Sequence, residues 1–236
     1  ALNPDGRFMV YCNLDTGDGD LYIHDFRTGR DVGVVRKPGY DGGPFFSPDG
    51  TRICYRSDRH GDNLLQIFVA DLKFDRSGSI VGIEREYQLT NNLHVNWAPY
   101  WHPSGRFIVY ATSKLGHYNY EVFIVDADPG NLRGSEGPIR YGTHQRRVTF
   151  APGADVLPIF SNDGRYLTWT SKRSGEEGAQ LWAAEFIMPL EPEPSEGRFD
   201  IPRRQSGSEA HREREGRRPP PGPPAGRGDG VGGEGD

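Results

Sequence analysis

A few histidines, acids and aromatics are the side chains here with chemistry to offer. His60, His94 and His117 carry imidazoles, which are common metal ligands when neutral. Asp41, Asn96 and Asp155 recur at wide intervals, each three residues before a proline (Pro44, Pro99 and Pro158). Tyr40 and Trp97 stand beside the first two. Acids and amides flanked by flat rings suit recognition of a polar chain, because aromatics combine contact area with a polar handle. The run Asp15-Thr16-Gly17-Asp18-Gly19-Asp20 has the composition of a calcium loop. It lacks the distal glutamate and the spacing of an EF-hand, so it is expected to be a polar hairpin. There is no His-Glu-x-x-His, no Gly-x-Ser-x-Gly elbow, no Walker loop and no Cys-His constellation. The expectation is a non-catalytic chain without a cofactor. A divalent metal on His60, His94 and His117 is the alternative.

Such scattered residues act together only if the fold gathers them, and the fold is written as a repeat. Four turns share one pattern: Asn3-Pro4-Asp5-Gly6, Ser47-Pro48-Asp49-Gly50, His102-Pro103-Ser104-Gly105 and Ser161-Asn162-Asp163-Gly164. Five residues after each turn glycine comes a large aromatic: Tyr11, Tyr55, Tyr110 and Trp169. Three residues after it comes Met9, Ile53, Ile108 or Leu167, so the odd offsets line one strand face. Even offsets are also largely apolar, which predicts strands covered on both sides. A second β-branched and aromatic run closes every copy at Asp25, Asp71, Asp126 or Glu185. Short strands are expected from Pro44, Pro99 and Pro158 to the turns, and outer strands at 31–36, 86–90 and 146–150. Stacked units of this size, four strands each, imply a β-propeller.

The predicted class is therefore all-β, with three to four antiparallel blades of an incomplete ring. The expected divisions are a partial blade at 1–38, full blades at 39–92 and 93–152, a partial blade at 153–190 and a disordered tail at 191–236. That tail is rich in Pro, Gly, Arg and Glu and nearly devoid of strand formers. The net charge of −5 indicates no nucleic-acid footprint, and no apolar run is long enough to span a membrane. Cys12 and Cys54 fall in neighbouring copies and are expected to be small buried hydrophobes rather than a disulfide. In a propeller the segments leading into the inner strands share a face. Tyr40, Asp41, His94, Asn96, Trp97 and Asp155 would then ring a channel mouth beside the loops at 58–61, 114–119 and 172–175.

The segments Gly43-Pro44-Phe45-Phe46-Ser47-Pro48-Asp49-Gly50, Gln66-Ile67-Phe68-Val69 and Ala98-Pro99-Tyr100-Trp101-His102-Pro103-Ser104-Gly105 resemble the TolB-like, WD40-like propeller repeat. The resemblance covers roughly residues 2–186, and the stretch Asp128–Thr143 departs from it. It implies a scaffold that binds a protein or peptide partner, with a periplasmic, Tol–Pal-like role in the cell envelope. Similar repeats also occur in oligogalacturonate lyase, a metal-assisted polysaccharide lyase, and in the propellers of prolyl-oligopeptidase-like peptidases. The lyase alternative would use Arg59 or Arg173 to neutralise substrate carboxylates. The peptidase alternative requires a separate catalytic domain.

Overall fold

The structure is a computed structural model that describes residues 1–15, 17–127, 141–142, 144–173 and 178–187. The predicted tail and most of the 128–143 stretch lie outside the described residues. Among the described residues every regular element is a strand. The first sheet contains β1 (Phe8–Asn13), β2 (Asp20–Asp25) and β3 (Arg30–Val35). The second contains β4 (Asp41–Phe46), β5 (Arg52–Ser57), β6 (Gln66–Phe74) and β7 (Ile80–Gln88). The third contains β8 (Asn96–Trp101), β9 (Phe107–Thr112), β10 (Glu121–Asp126) and β11 (Arg146–Arg147), and the fourth β12 (Asp155–Phe160), β13 (Tyr166–Ser171) and β14 (Gln180–Glu185). Each sheet pairs antiparallel in chain order.

The turns explain the hairpins. Gly6, Gly50, Gly105 and Gly164 all have φ between 69° and 74°, the left-handed region that glycine enters without steric cost. Each donates its N–H to the carbonyl of the first turn residue at 2.8–3.0 Å. Asp49 then accepts from the Ser47 hydroxyl at 2.5 Å and from Thr51 N–H at 3.1 Å, and Asp163 repeats this with Ser161 and Arg165.

The sheets pack face to face in sequence, and the inner strands β4, β8 and β12 neighbour one another. This is a β-propeller arrangement whose described blades form an open arc. Three apolar layers fill the junctions. Phe8, Val10, Ile53 and Tyr55 meet in the first, Cys54, Val69, Ile108 and Tyr110 in the second, and Val109, Ile124, Leu167 and Trp169 in the third. Strands buried on both faces account for the apolar even offsets. In the first sheet Leu2 bridges Met9, the register that Phe46 takes on Ile53.

The inner strands differ from the sequence expectation. They begin three residues earlier, at Asp41, Asn96 and Asp155, and each carries a bulge before its proline. The residue preceding that proline is left-handed in all three: Gly43 (φ 60°), Ala98 (φ 52°) and Leu157 (φ 53°). A left-handed non-glycine residue costs roughly 1–2 kcal/mol. The proline has no N–H, so the bulge sits where the ladder needs no donor. Outer strands also differ in extent, since β7 starts at Ile80 and β11 is only two residues long.

At the turn end of the first junction, Arg7 forks onto Asp25 at 3.1 and 2.8 Å and reaches Gly78 O at 2.8 Å. The Arg7 side chain holds the Asp25 carboxyl well below the usual carboxylate range. A carboxyl depressed in this way stabilises the fold fully above its unfolded pKa, near 3.9, and the support is lost as pH falls through the folded value. Asp25→Asn is expected to destabilise the fold at pH 7 and to flatten the acid limb below about pH 4, as read by fluorescence-monitored unfolding at stepped pH.

Candidate functional site

The starts of β4, β8 and β12 lie at one end of the junctions. Each of these strands is tied to the preceding sheet by a backbone hydrogen bond. Asp41 N–H donates to Gly19 O at 3.0 Å, Asn96 N–H to Leu65 O at 2.8 Å and Asp155 N–H to Tyr120 O at 2.7 Å. The repeat therefore brings the three predicted polar residues to one level, and all three side chains are fully buried.

Two of them are held by an arginine of their own blade. Arg59 Nη2 lies 3.4 Å from Asp41 Oδ1, while its Nη1 donates to Glu86 at 2.6 Å and its Nε to Ser57 Oγ at 3.0 Å. Arg173 Nη2 donates to Asp155 Oδ2 at 2.7 Å and its Nε to Ser171 Oγ at 3.0 Å. Both guanidiniums lie over aromatic rings, Arg59 over Phe68 at 4.1 Å and Arg173 over Trp182 at 4.7 Å. Burial raises the Asp41 carboxyl, against the pull of Ser57, Arg59 and the Lys37 amide. In the third blade the clasp is replaced by an amide network. Asn96 Nδ2 lies 3.0 Å from both Gln66 Oε1 and Asn92 Oδ1, and Lys114 occupies the arginine position over Phe123. A neutral amide needs no counter-charge, which fits the exchange of Asp and Arg for Asn and Lys. Glu121 is a further buried acid, paired with Arg147 at 2.6 Å and accepting the Thr149 hydroxyl at 2.5 Å. Its carboxyl is raised mainly by burial and further by Asp155.

Arg59 and Arg173 are thus engaged inside the blades, which corrects their expected availability to substrate carboxylates. The histidines do not converge either. His60 faces Gln88 at 3.3 Å and His117 faces the Tyr120 hydroxyl at 3.3 Å. The His94 backbone joins the Asn92–Asn96 network at 3.0–3.2 Å. Among the described residues no three metal-ligating side chains gather, and this removes the geometric basis for the histidine metal site. Cys54 is buried and Cys12 half-buried, both as free thiols.

Tyr40 and Trp97 are half-buried at this end, and the structure places between them a residue that the sequence analysis passed over. Arg56 on β5 lies 5.5 Å from the Tyr40 ring centre and 5.9 Å from that of Trp97, and its Nη2 donates to the Tyr40 hydroxyl at 3.2 Å. Gly42 and Gly43 make this possible. A Cβ at Gly42 would collide with the Tyr40 ring, and one at Gly43 would sit 2.7 Å from Arg56 Nη1. The Gly-Gly pair, where the other inner strands carry Trp97-Ala98 and Val156-Leu157, was the available signal.

The sequence and the fold both have counterparts among known proteins. The chain is 27% identical over 201 residues to the Tol-Pal system protein TolB of Francisella tularensis, a match covering 70% of this chain and 45% of that protein. It is 27% identical over 136 residues to the uncharacterised protein Atu1656 of Agrobacterium fabrum, covering 55% and 43%. Among solved structures, TolB from Acinetobacter baumannii superposes with a TM-score of 0.59 at 20% identity, covering 78% of this chain and 39% of that one. The chain adopts a TolB-like β-propeller fold. A putative TolB from Agrobacterium tumefaciens agrees, with a TM-score of 0.51 at 20% identity over 79% of this chain and 57% of that one. No protein-family profile matches. The chain spans under half the length of these curated relatives. Among the described residues no helix is long and apolar enough to cross a membrane.

Proposed function

We propose that this TolB-like propeller is a non-catalytic scaffold that holds a protein or peptide partner at the end where Tyr40, His94 and Trp97 lie. Asp41, Asn96 and Asp155 act from beneath by fixing the strand starts that carry those residues. The cluster of Tyr40, Arg56 and Trp97 supports the reading, since two aromatics and a cation left partly open to solvent form the kind of anchor that dominates binding energy. The TolB relatives support a cell-envelope role and a periplasmic location, and they make a Pal protein the first partner to try.

Calorimetric titration of the chain with a purified Pal protein tests this. Saturable binding is expected, weakened about ten-fold or more by Tyr40→Ala or Trp97→Ala, the size of a contact worth roughly 1.4 kcal/mol. Binding that both variants leave unchanged would remove this end as the docking site, and no binding at all would remove Pal as the partner.

A further inference from the structure

Arg56 stands apart from the other charged groups at the strand-start end. Arg59, Arg147 and Arg173 each meet a carboxylate within 4 Å. Among the described residues Arg56 meets none. Its hydrogen bond to the Tyr40 hydroxyl is to a neutral oxygen, and its Nε is buried without a partner. The indole N–H of Trp97, on the ring beside that guanidinium, is also buried and unpartnered. A half-buried cation that lacks a counter-ion carries a desolvation cost that an arriving anion would relieve. Glycine at 42 and 43 leaves room for this cation and its two rings.

We infer that Arg56 is the receptor for a carboxylate side chain of the partner, held on its Nη1–Nη2 edge with Tyr40 and Trp97 as flanking walls. The fork of a guanidinium matches the two oxygens of a carboxylate. The aromatic walls favour a residue within a peptide over a free ion. The inference rests on the proposed docking end and names what that end reads.

The test is a proton–nitrogen NMR titration of the folded chain with capped Gly-Glu-Gly and its Gly-Gln-Gly counterpart, with inorganic phosphate as a third arm. The Arg56 Nε–H and Trp97 indole signals are expected to shift saturably with the glutamate peptide and at least ten-fold more weakly with the glutamine peptide. Arg56→Gln should abolish the indole shift. Arg56→Lys, which keeps the charge without the fork and guards against misfolding of the first variant, should weaken binding several-fold. Equal responses to both peptides, retention of the shift in Arg56→Gln, or a response to phosphate alone would overturn the assignment. If Pal binds Arg56→Gln as tightly as the unaltered chain while Tyr40→Ala loses it, the docking end stands and the carboxylate receptor falls.

Discussion

Arg59→Met should cost about 3–5 kcal/mol of folding stability at pH 7, the usual consequence of removing one partner from a buried ion pair. Asp41 is wholly inside the protein and Arg59 is nearly so, with side-chain exposures of 0% and 13%. The same substitution removes the cation that Glu86 meets at 2.6 Å, leaving it the Tyr55 hydroxyl, and takes one donor from Ser57. A domain commonly has only 5–15 kcal/mol in total, so such a loss would be visible as a large drop in urea midpoint. Burial already raises the Asp41 carboxyl, and without Arg59 it would rise further. A carboxyl whose folded pKa lies above its unfolded value favours the fold most at low pH and loses that contribution as pH rises. The deficit of Arg59→Met should therefore shrink from pH 7 to pH 5. Asp41→Asn in the same background should recover part of it at pH 7, because the stranded charge is gone. A midpoint unchanged by Arg59→Met would show that the clasp contributes nothing.

Tyr110→Ala and Tyr11→Ala should differ sharply although they occupy the same register of the repeat. Tyr110 is 1% exposed in the layer between the second and third sheets, where it adjoins Ile108 and Phe123. Emptying that position is expected to cost about 3–5 kcal/mol, as for other large-to-small changes in a packed core. Tyr11 lies on the outward face of the first sheet, stacked on Tyr22 at 6.0 Å and donating to Asp31 at 2.9 Å. Its loss should cost about 1 kcal/mol or less, since little buried surface goes with it. Guanidinium unfolding of the two variants in parallel is the measurement. Equal losses would mean that the four blades do not divide into covered and open faces as described.

The turns and strands were legible because each rests on short-range chemistry. Gly50 and Gly105 mark the left-handed corner, and Tyr55, Tyr110 and Trp169 mark the covered face. The bulges were not legible. Nothing in Asn96-Trp97-Ala98-Pro99 announces that Ala98 turns left-handed, because the residue before a proline ordinarily stays extended. Asp41, Asn96 and Asp155 share one register of the repeat, yet their burial follows from strand starts that reach three residues further back than the prolines suggest. Their arginine partners were hidden for a related reason. Asp41–Arg59 and Asp155–Arg173 share a spacing of 18 residues, which acquires meaning only once β4 and β12 are known to lie against β5 and β13. Arg56 escaped notice because its significance lies in what it lacks.

The 18-residue spacing has a consequence for descent. Each clasp has both halves inside a single repeat, and the backbone bond to the preceding sheet asks only for a carbonyl, which any side chain provides. Duplicating such a unit in a gene copies its fastener with it, and the backbone bond to the new neighbour needs no matching side chain. Copying or excising a whole blade would therefore leave every remaining clasp intact.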